Sequence, residues 1–336
     1  HKQRQQHTFK KDIEGEDVGS NKKAAIENCH AENVTLTVEG GRYSVYAGGL
    51  IGYLHASKGA SLTLSDSSAD VDLSGTVSGY PGSASASDRF NVTLGGLVGY
   101  VGAIEDNSAI TIKNSYSLSH VNAVSTVNRT RNDNIKAGGL LGYFGSDQNA
   151  ALKLSGCYSS GGVVTSAIAD NFSGGLLGYL IASESDLTVE NCYTTSNVYA
   201  RSTRFSSYIG GFTSVAGVLN SDGFILENCY AAGNVIDSGS NSSEGGKFTA
   251  DAQGDMSTFG LYTHEDARLV CGTTFVPEKM LDKQLTAEQA CVLSYYTGFS
   301  DTVWKNGTDL YPYPTLIGTP YRISHTEELS KNVLAF

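Results

Sequence analysis

The chain has 336 residues and a formal net charge of −11, which argues against a nucleic-acid partner or an anionic membrane surface, since both require clustered Lys and Arg. Gly accounts for 39 residues and only 17% of all residues are charged, a composition that favours strands and turns over solvated helices. No run of about 18 apolar residues occurs, so we expect no membrane insertion.

The first segment, residues 1–20, is polar and shows no apolar periodicity. Its charged start is not followed by the apolar stretch that is typical of a secretion signal. We therefore interpret residues 1–20 as a tail or linker.

Residues 21–237 are built from a repeated pair of motifs. The first is Gly-Gly followed by Leu or Phe, and it begins at Gly48, Gly95, Gly138, Gly174 and Gly210. The second is a short alternating apolar stretch that ends in Cys or Ser, at Cys29, Ser67, Ser115, Cys157, Cys192 and Cys229. Because the two motifs alternate throughout, the region predicts a repeat architecture.

Alignment of the copies on the Cys/Ser position gives columns of similar residues. Apolar residues lie five and three positions before it and alternate with polar ones, which indicates strands with one buried face. Asn, Asp or Gly immediately precedes it, which predicts an asparagine ladder at a turn. Tyr follows it in four copies, at Tyr116, Tyr158, Tyr193 and Tyr230, and Tyr also follows four of the Gly-Gly motifs, at Tyr53, Tyr100, Tyr143 and Tyr179.

These columns predict an all-β fold, a parallel β-solenoid with one coil per repeat of 36 to 47 residues. A helical solenoid is disfavoured because no 3.6-residue period is present and Gly pairs interrupt each unit. The glycines that begin the Gly-Gly motif should then lie in one line along the solenoid axis. Insertions at 75–90 and 126–134 are expected to form loops, and such loops often crowd the binding face.

The pattern stops near residue 237. We interpret 238–274 as an irregular linker and 275–318 as a C-terminal cap that covers the unpaired strand edge of the last coil. A helix is expected within 277–296, where Leu281, Leu285, Gln289, Val292 and Tyr296 share one face and Thr286 with Gln289 can form a capping box. We expect residues 319–336 to lead toward a following domain.

The Gly-Gly-Leu-x-Gly-Tyr segments and the intervening Asn-Cys-Tyr segments resemble the GLUG repeats of large bacterial surface proteins, which include the N-terminal part of some IgA-specific metallopeptidases. The stretch from Trp304 to Leu316 resembles the ending that often closes such arrays. The resemblance spans about residues 21–318 and implies an extracellular, secreted or cell-wall-associated module within a larger multidomain surface protein. It carries over no catalytic residue, because the His-Glu-x-x-His signature does not occur in the sequence.

The cysteines offer two alternatives. Cys157, Cys192 and Cys229 share one column, where buried thiols that act as small apolar side chains are favoured and a disulfide is conceivable. Cys271 and Cys291 lie outside the column and could pair to staple the cap, which the sequence leaves open. No Cys-x-x-Cys or Cys/His cluster occurs, so we expect no metal site and no cofactor.

Carboxylates and tyrosines are the remaining candidates for catalytic or ligand-binding residues. Asp66, Asp70 and Asp72 lie close together in sequence, and Glu190 and Glu227 share a column, but polar and basic residues interrupt that column as on a solvated face. The tyrosine rows could stack on sugar rings, although an aromatic ladder between coils is the simpler interpretation.

The sequence therefore favours a non-enzymatic structural or adhesion module, a rigid solenoid that presents or spaces a binding surface for a host protein or glycan. We predict no catalytic residue and can name no ligand-binding residue. The alternatives are an accessory N-terminal region of a secreted metallopeptidase and a carbohydrate-active β-helix enzyme.

Overall fold

A computed structural model describes residues 22–40, 44–78, 90–105, 107–127, 134–221, 223–239, 243–271, 283–308, 311–319 and 322. The expected tails at 1–20 and beyond 322, the central parts of both insertions and Leu281 lie outside these residues. Within the described ranges, no helix is both long and apolar enough to span a membrane.

The chain folds as a parallel β-solenoid, as the sequence predicts. An initial half-coil holds β1 (Lys23–Glu27) and β2 (His30–Gly40). Coil 1 holds β3 (Val45–Gly48), β4 (Ile51–Ala56), β5 (Ser61–Ser65) and β6 (Ser68–Val77). Coil 2 holds β7 (Val92–Gly95), β8 (Val98–Ile104), β9 (Ala109–Lys113), β10 (Tyr116–Ser117) and β11 (His120–Ser125).

The later coils repeat this plan. Coil 3 holds β12 (Ile135–Gly138), β13 (Leu141–Asp147), β14 (Ala151–Ser155), β15 (Tyr158–Ser159) and β16 (Gly162–Ala167). Coil 4 holds β17 (Asn171–Gly174), β18 (Leu177–Ser183), β19 (Asp186–Glu190), β20 (Tyr193–Thr194) and β21 (Asn197–Ser202). Coil 5 holds β22 (Ser207–Gly210), β23 (Thr213–Leu219), β24 (Phe224–Ala231) and β25 (Val235–Asp237). Coil 6 holds β26 (Ser243–Gly246), β27 (Thr249–Gln253), β28 (Ser257–His264) and β29 (Leu269–Val270).

Equivalent strands of successive coils pair in parallel and form three sheets. One six-stranded sheet contains β3, β7, β12, β17, β22 and β26, and a second contains β4, β8, β13, β18, β23 and β27. The remaining strands of the coils form one large sheet, which bends at the Cys/Ser column. The interior between the sheets is filled by columns of buried aliphatic and aromatic side chains, and this continuous core is why no coil is stable alone.

The Gly-Gly corners lie in one line, as predicted. Gly48 is in register with Gly95, and the column continues through Gly138, Gly174, Gly210 and also Gly246. The reason is space: a Cβ on Gly174 would lie 1.9 Å from the carbonyl oxygen of Leu177, and one on Gly175 would lie 2.0 Å from that of Gly211. Only glycine lets the corner fold back and lets successive corners stack.

The interpretation of 238–274 as an irregular linker is wrong. Its four strands, β26 to β29, pair in parallel with β22 to β25 and form a complete sixth coil. The second corner glycine is replaced by Lys247, and the Asn-Cys pair by Gly260 and Leu261. The backbone pattern thus persists where the residue motif does not.

The asparagine column serves the backbone rather than a side-chain ladder. Asn28, Asp66, Asn114, Asn191 and Asn228 all adopt positive φ between 50° and 53°, a left-handed conformation that Asn, Asp and Gly tolerate best. Between members of this column, the described contacts include one amide bond, from Asn114 Nδ2 to Asp66 Oδ1 at 3.4 Å. The expected run of amide bonds from copy to copy is therefore wrong.

The C-terminal segment is only partly a cap on the last coil. β30 (Lys283–Leu285) adds one short strand to β28, and Thr286 caps the helix α1 (Ala287–Ala290) with the predicted capping box. The expected helix over 277–296 is thus much shorter, and a 3₁₀ turn follows at Leu293–Tyr295. The antiparallel pair β31 (Trp304–Lys305) and β32 (Thr315–Leu316) completes the segment.

Candidate binding surfaces

One tyrosine column runs beside the Cys/Ser corner and is part of the core. Tyr116, Tyr158, Tyr193 and Tyr230 stack with ring centroids 4.8 to 5.0 Å apart and nearly parallel planes. The last three are fully buried. We call these four residues the inner tyrosine column; Tyr262 of coil 6 extends it by register.

A strap, residues 286–308, 311–319 and 322, covers the inner tyrosine column. The Tyr230 hydroxyl donates to the Pro314 carbonyl at 2.8 Å, and Trp304 Nε1 donates to Asn191 Oδ1 at 3.2 Å. Farther along, the Arg322 amide donates to the Tyr158 hydroxyl at 3.1 Å. The strap therefore runs along the side of the solenoid, from coil 6 back to coil 3, and turns one row of phenol rings into core.

A second tyrosine column lies on a different sheet, on β4, β8, β13 and β18, and has no such cover among the described residues. Tyr53, Tyr100, Tyr143 and Tyr179 stack with centroids 4.5, 4.7 and 6.0 Å apart. Tyr53 is 42% exposed and the other three are half-buried. We call these four residues the outer tyrosine column.

A parallel column that sequence reasoning missed flanks the outer tyrosine column. It contains Tyr46, Thr93, Lys136, Phe172 and Tyr208, each two residues before a Gly-Gly motif, and that fixed offset was the signal that could have found it. Tyr46 meets Tyr53 edge-on at 5.6 Å, and Phe172 meets Tyr179 edge-on at 5.2 Å. Together the two columns form an outward-facing aromatic strip.

The aromatic strip is a hydrogen-bond-donating surface at neutral pH. Like any phenol, both Tyr143 and Tyr100 are protonated at neutral pH, and burial with neighbouring phenols extends this to alkaline pH by raising the pKa of Tyr143 to about 12 and raising that of Tyr100 as well. The Lys136 ammonium lies 5.3 Å from the ring centroids of both Tyr143 and Tyr179, a cation–π geometry that holds one positive charge in the middle of the strip.

A polar corner groove of about 340 Å³ lies where the strands β13 and β18 turn into β14 and β19. Its walls include Asn149, Glu184 and Asn220, all with positive φ, and Asp186. The backbone of these corners bonds from coil to coil, for example from the Glu184 amide to the Leu219 carbonyl at 2.8 Å. The groove is hydrophilic and open, and it has no aromatic wall.

The structure separates Asp66 from Asp70 and Asp72. Asp66 lies at a corner, whereas Asp70 and Asp72 lie on the outer face of β6. Glu190 forms an ion pair with Lys153 at 2.8 Å and accepts a hydrogen bond from Ser155 at 2.9 Å. Ser155, which interrupts the Glu column, thus binds Glu190, and the charge of Glu190 is balanced by Lys153, which lies in register with Thr188 outside that column. No group of three or more His, Cys, Asp or Glu side chains within the described ranges could hold a metal ion.

All six cysteines are free thiols, so Cys271 and Cys291, whose pairing the sequence left open, do not form a disulfide. In the Cys/Ser column every side chain donates to the carbonyl two residues before it, at 2.7 to 3.5 Å. This shared role explains why Cys and Ser alternate in the column. Burial raises the pKa of Cys157 and Cys192 well above the ordinary value, so these thiols are poor nucleophiles.

Comparison of the chain with protein-family models, curated proteins and solved structures gave no match. The similarity to GLUG repeats therefore stays a prediction from the motifs.

Proposed function

We propose that this chain is a non-enzymatic extracellular module whose rigid solenoid presents the aromatic strip to a host protein or glycan. The observation that carries the proposal is the strip itself, where aromatic rings of several coils lie side by side on the outside, with Tyr46 and Tyr53 exposed by 41% and 42%. Contiguous exposed aromatic patches mark interaction sites in soluble proteins, and Tyr is enriched in interfaces.

The geometry of the outer tyrosine column favours a protein partner over a stacked sugar. Its rings lie within 6° of parallel, so they cover each other's faces and present edges and hydroxyls. Sugar rings stack on aromatic faces, whereas a protein surface can use edges and hydrogen-bond donors. Because stacking already fixes these rings, binding would order few further side chains, which lowers the entropic cost.

The proposed cellular location and domain context rest on the resemblance of the repeat motifs to GLUG repeats. A secreted or wall-associated position, within a larger multidomain surface protein, is where a solenoid of this kind would space or display a binding face. The proposal involves no cofactor and no membrane insertion.

The test is a binding screen of the purified chain against extracellular host proteins and a glycan array. A double variant, Tyr46→Ser with Tyr53→Ser, should lose at least tenfold in affinity for any hit, since interface tyrosines contribute on the order of 1–2 kcal/mol each. The matched control is Tyr199→Ser, which removes a ring that is 42% exposed on β21, away from the strip. Unchanged binding by the double variant would overturn the assignment of the strip, and product release from a polysaccharide would overturn the non-enzymatic role.

A further inference from the structure

The two ends of the solenoid differ in whether a further coil can stack on them. The second glycine of each corner shows this for the C-terminal end. In coils 1 to 5 a Cβ at the second corner glycine would lie 1.9 to 2.2 Å from a carbonyl oxygen of the following coil. Coil 6 carries Lys247 at this position. Its Cβ occupies the space that the carbonyl of a seventh coil would need. β30 also pairs with β28 at Tyr262–His264. The C-terminal end is therefore closed to another coil at this corner.

Among the residues that the structure describes, the N-terminal end is open. No described strand pairs with the outer edges of β1, β2, β3 and β4. Val34 points inward from β2 in register with Val71, yet Val34 is 47% exposed and Val71 only 2%. At the other end, the inward-facing Phe248 and Leu261 are 2% and 3% exposed. The N-terminal end therefore exposes both apolar interior side chains and unpaired backbone groups. Such an edge is a template for pairing with another strand.

The charge pattern of β1 identifies the strand that this edge fits. β1 reads Lys-Ala-Ala-Ile-Glu, with Lys23 and Glu27 both exposed. An antiparallel copy of β1 centred on Ala25 would set each Lys23 opposite a Glu27, and opposite charges facing across an antiparallel pair are favourable. A parallel copy in register would place Lys over Lys and Glu over Glu, which is unfavourable.

We propose that two copies of this chain associate head to head through their N-terminal ends, with β1 pairing antiparallel to β1 of the second copy. β1 is the pairing strand because β2 is irregular at its edge: its register shifts between Glu32 and Val34, and such bulges protect edges. The contact is isologous, so it closes as a two-fold dimer. Lys247 prevents head-to-tail addition, and growth stops at two chains.

Charge reversal on the whole chain tests the pairing, with the mass measured by light scattering after size exclusion. The wild type should be a dimer. Glu27→Lys and Lys23→Glu should each raise the dissociation constant of the dimer about tenfold or more, because both symmetric ion pairs become repulsive. An equimolar mixture of the two variants should restore dimers as heterodimers, since every facing pair is then opposite in charge.

Both positions are exposed, so unchanged circular dichroism of each variant confirms that it is folded. A monomeric wild type would overturn the proposal. So would a dimer that neither single reversal weakens, or a mixture that fails to recover. Masses that keep rising with concentration would show head-to-tail growth and would contradict the closed end at Lys247.

Discussion

The inner and outer tyrosine columns each place one ring in four successive coils but differ in what lies over them. Their rings stack 4.8 to 5.0 Å apart in the inner column and 4.5 to 6.0 Å apart in the outer one. The strap covers the inner column and gives the Tyr230 and Tyr158 hydroxyls protein partners, the Pro314 carbonyl and the Arg322 amide. The outer column keeps its edges in solvent. A repeated residue therefore acquires its role from the single-copy segment that does or does not cover it.

Both columns depend on the coil spacing that the corner glycines allow, so a corner substitution should disrupt both columns at once. Gly175→Ala forces a Cβ to within 2.0 Å of a backbone oxygen, and we expect a loss of about 4 kcal/mol or more in the free energy of unfolding. The control is Gly217→Ala, whose Cβ would have its nearest neighbour at 3.6 Å on the Ile181 side chain. Urea titration measures both, and similar losses for the two variants would refute the packing role of the corner.

Removal of one ring from each column measures how much each column contributes to the free energy of unfolding. Tyr193→Ala empties a fully buried site under the strap, and we expect a loss of about 3–5 kcal/mol. Tyr100→Ala removes a half-buried ring that is also stacked between two tyrosines, and a loss of about 1–2 kcal/mol is expected. If urea titrations give equal losses, the strap does not make the inner column part of the core.

The packing of the strap on the solenoid should become less stable at acidic pH. His264 is 2% exposed, 3.2 Å from the Tyr296 hydroxyl of the strap, and burial and then Lys247 lower its pKa from 6.5 to about 4. Below pH 6.5 the unfolded state binds a proton that the folded state binds only near pH 4. Stability should therefore fall between those values, by up to about 3 kcal/mol, and then level off.

The matched variant for this pH effect is His264→Gln. The Tyr296 hydroxyl donates to the Ala290 carbonyl and therefore accepts from residue 264, and a Gln amide can still donate to it but does not titrate. Its stability should show a smaller loss between pH 6.5 and pH 4, as followed by thermal unfolding. A pH dependence equal to that of the wild type would exclude His264 as its source.

The sequence predicts the stacked coils well because their causes are local and repeated. Each coil restates the period-2 apolar pattern around positions such as Leu187 and Val189, and each corner repeats the glycine that close packing requires. The sixth coil was missed because it keeps the shape without the motif. Gly260 supplies the left-handed turn, with φ of +64°, as Gly156 does in coil 3, where the other coils use Asn or Asp. Lys247 is tolerated because no described strand stacks beyond it at this corner.

The strap could not be predicted, because no repetition reveals where a single-copy segment packs. Trp304 and Pro314 are conspicuous in the sequence, but their partners Asn191 and Tyr230 lie 113 and 84 residues away along the chain. For the same reason, the sequence predicted only part of the candidate binding surface. The tyrosines were found from their repeated offset, but nothing in the sequence says which column is covered.

The most direct test of the account is hydroxyl-radical footprinting of the native chain, read by mass spectrometry at individual tyrosines. We predict strong oxidation at Tyr46 and Tyr53 and protection at Tyr158, Tyr193 and Tyr230, with the inner three becoming reactive only when the chain unfolds. Comparable oxidation of the two groups in the native chain would contradict the burial of one column beneath the strap and the exposure of the other as a binding surface.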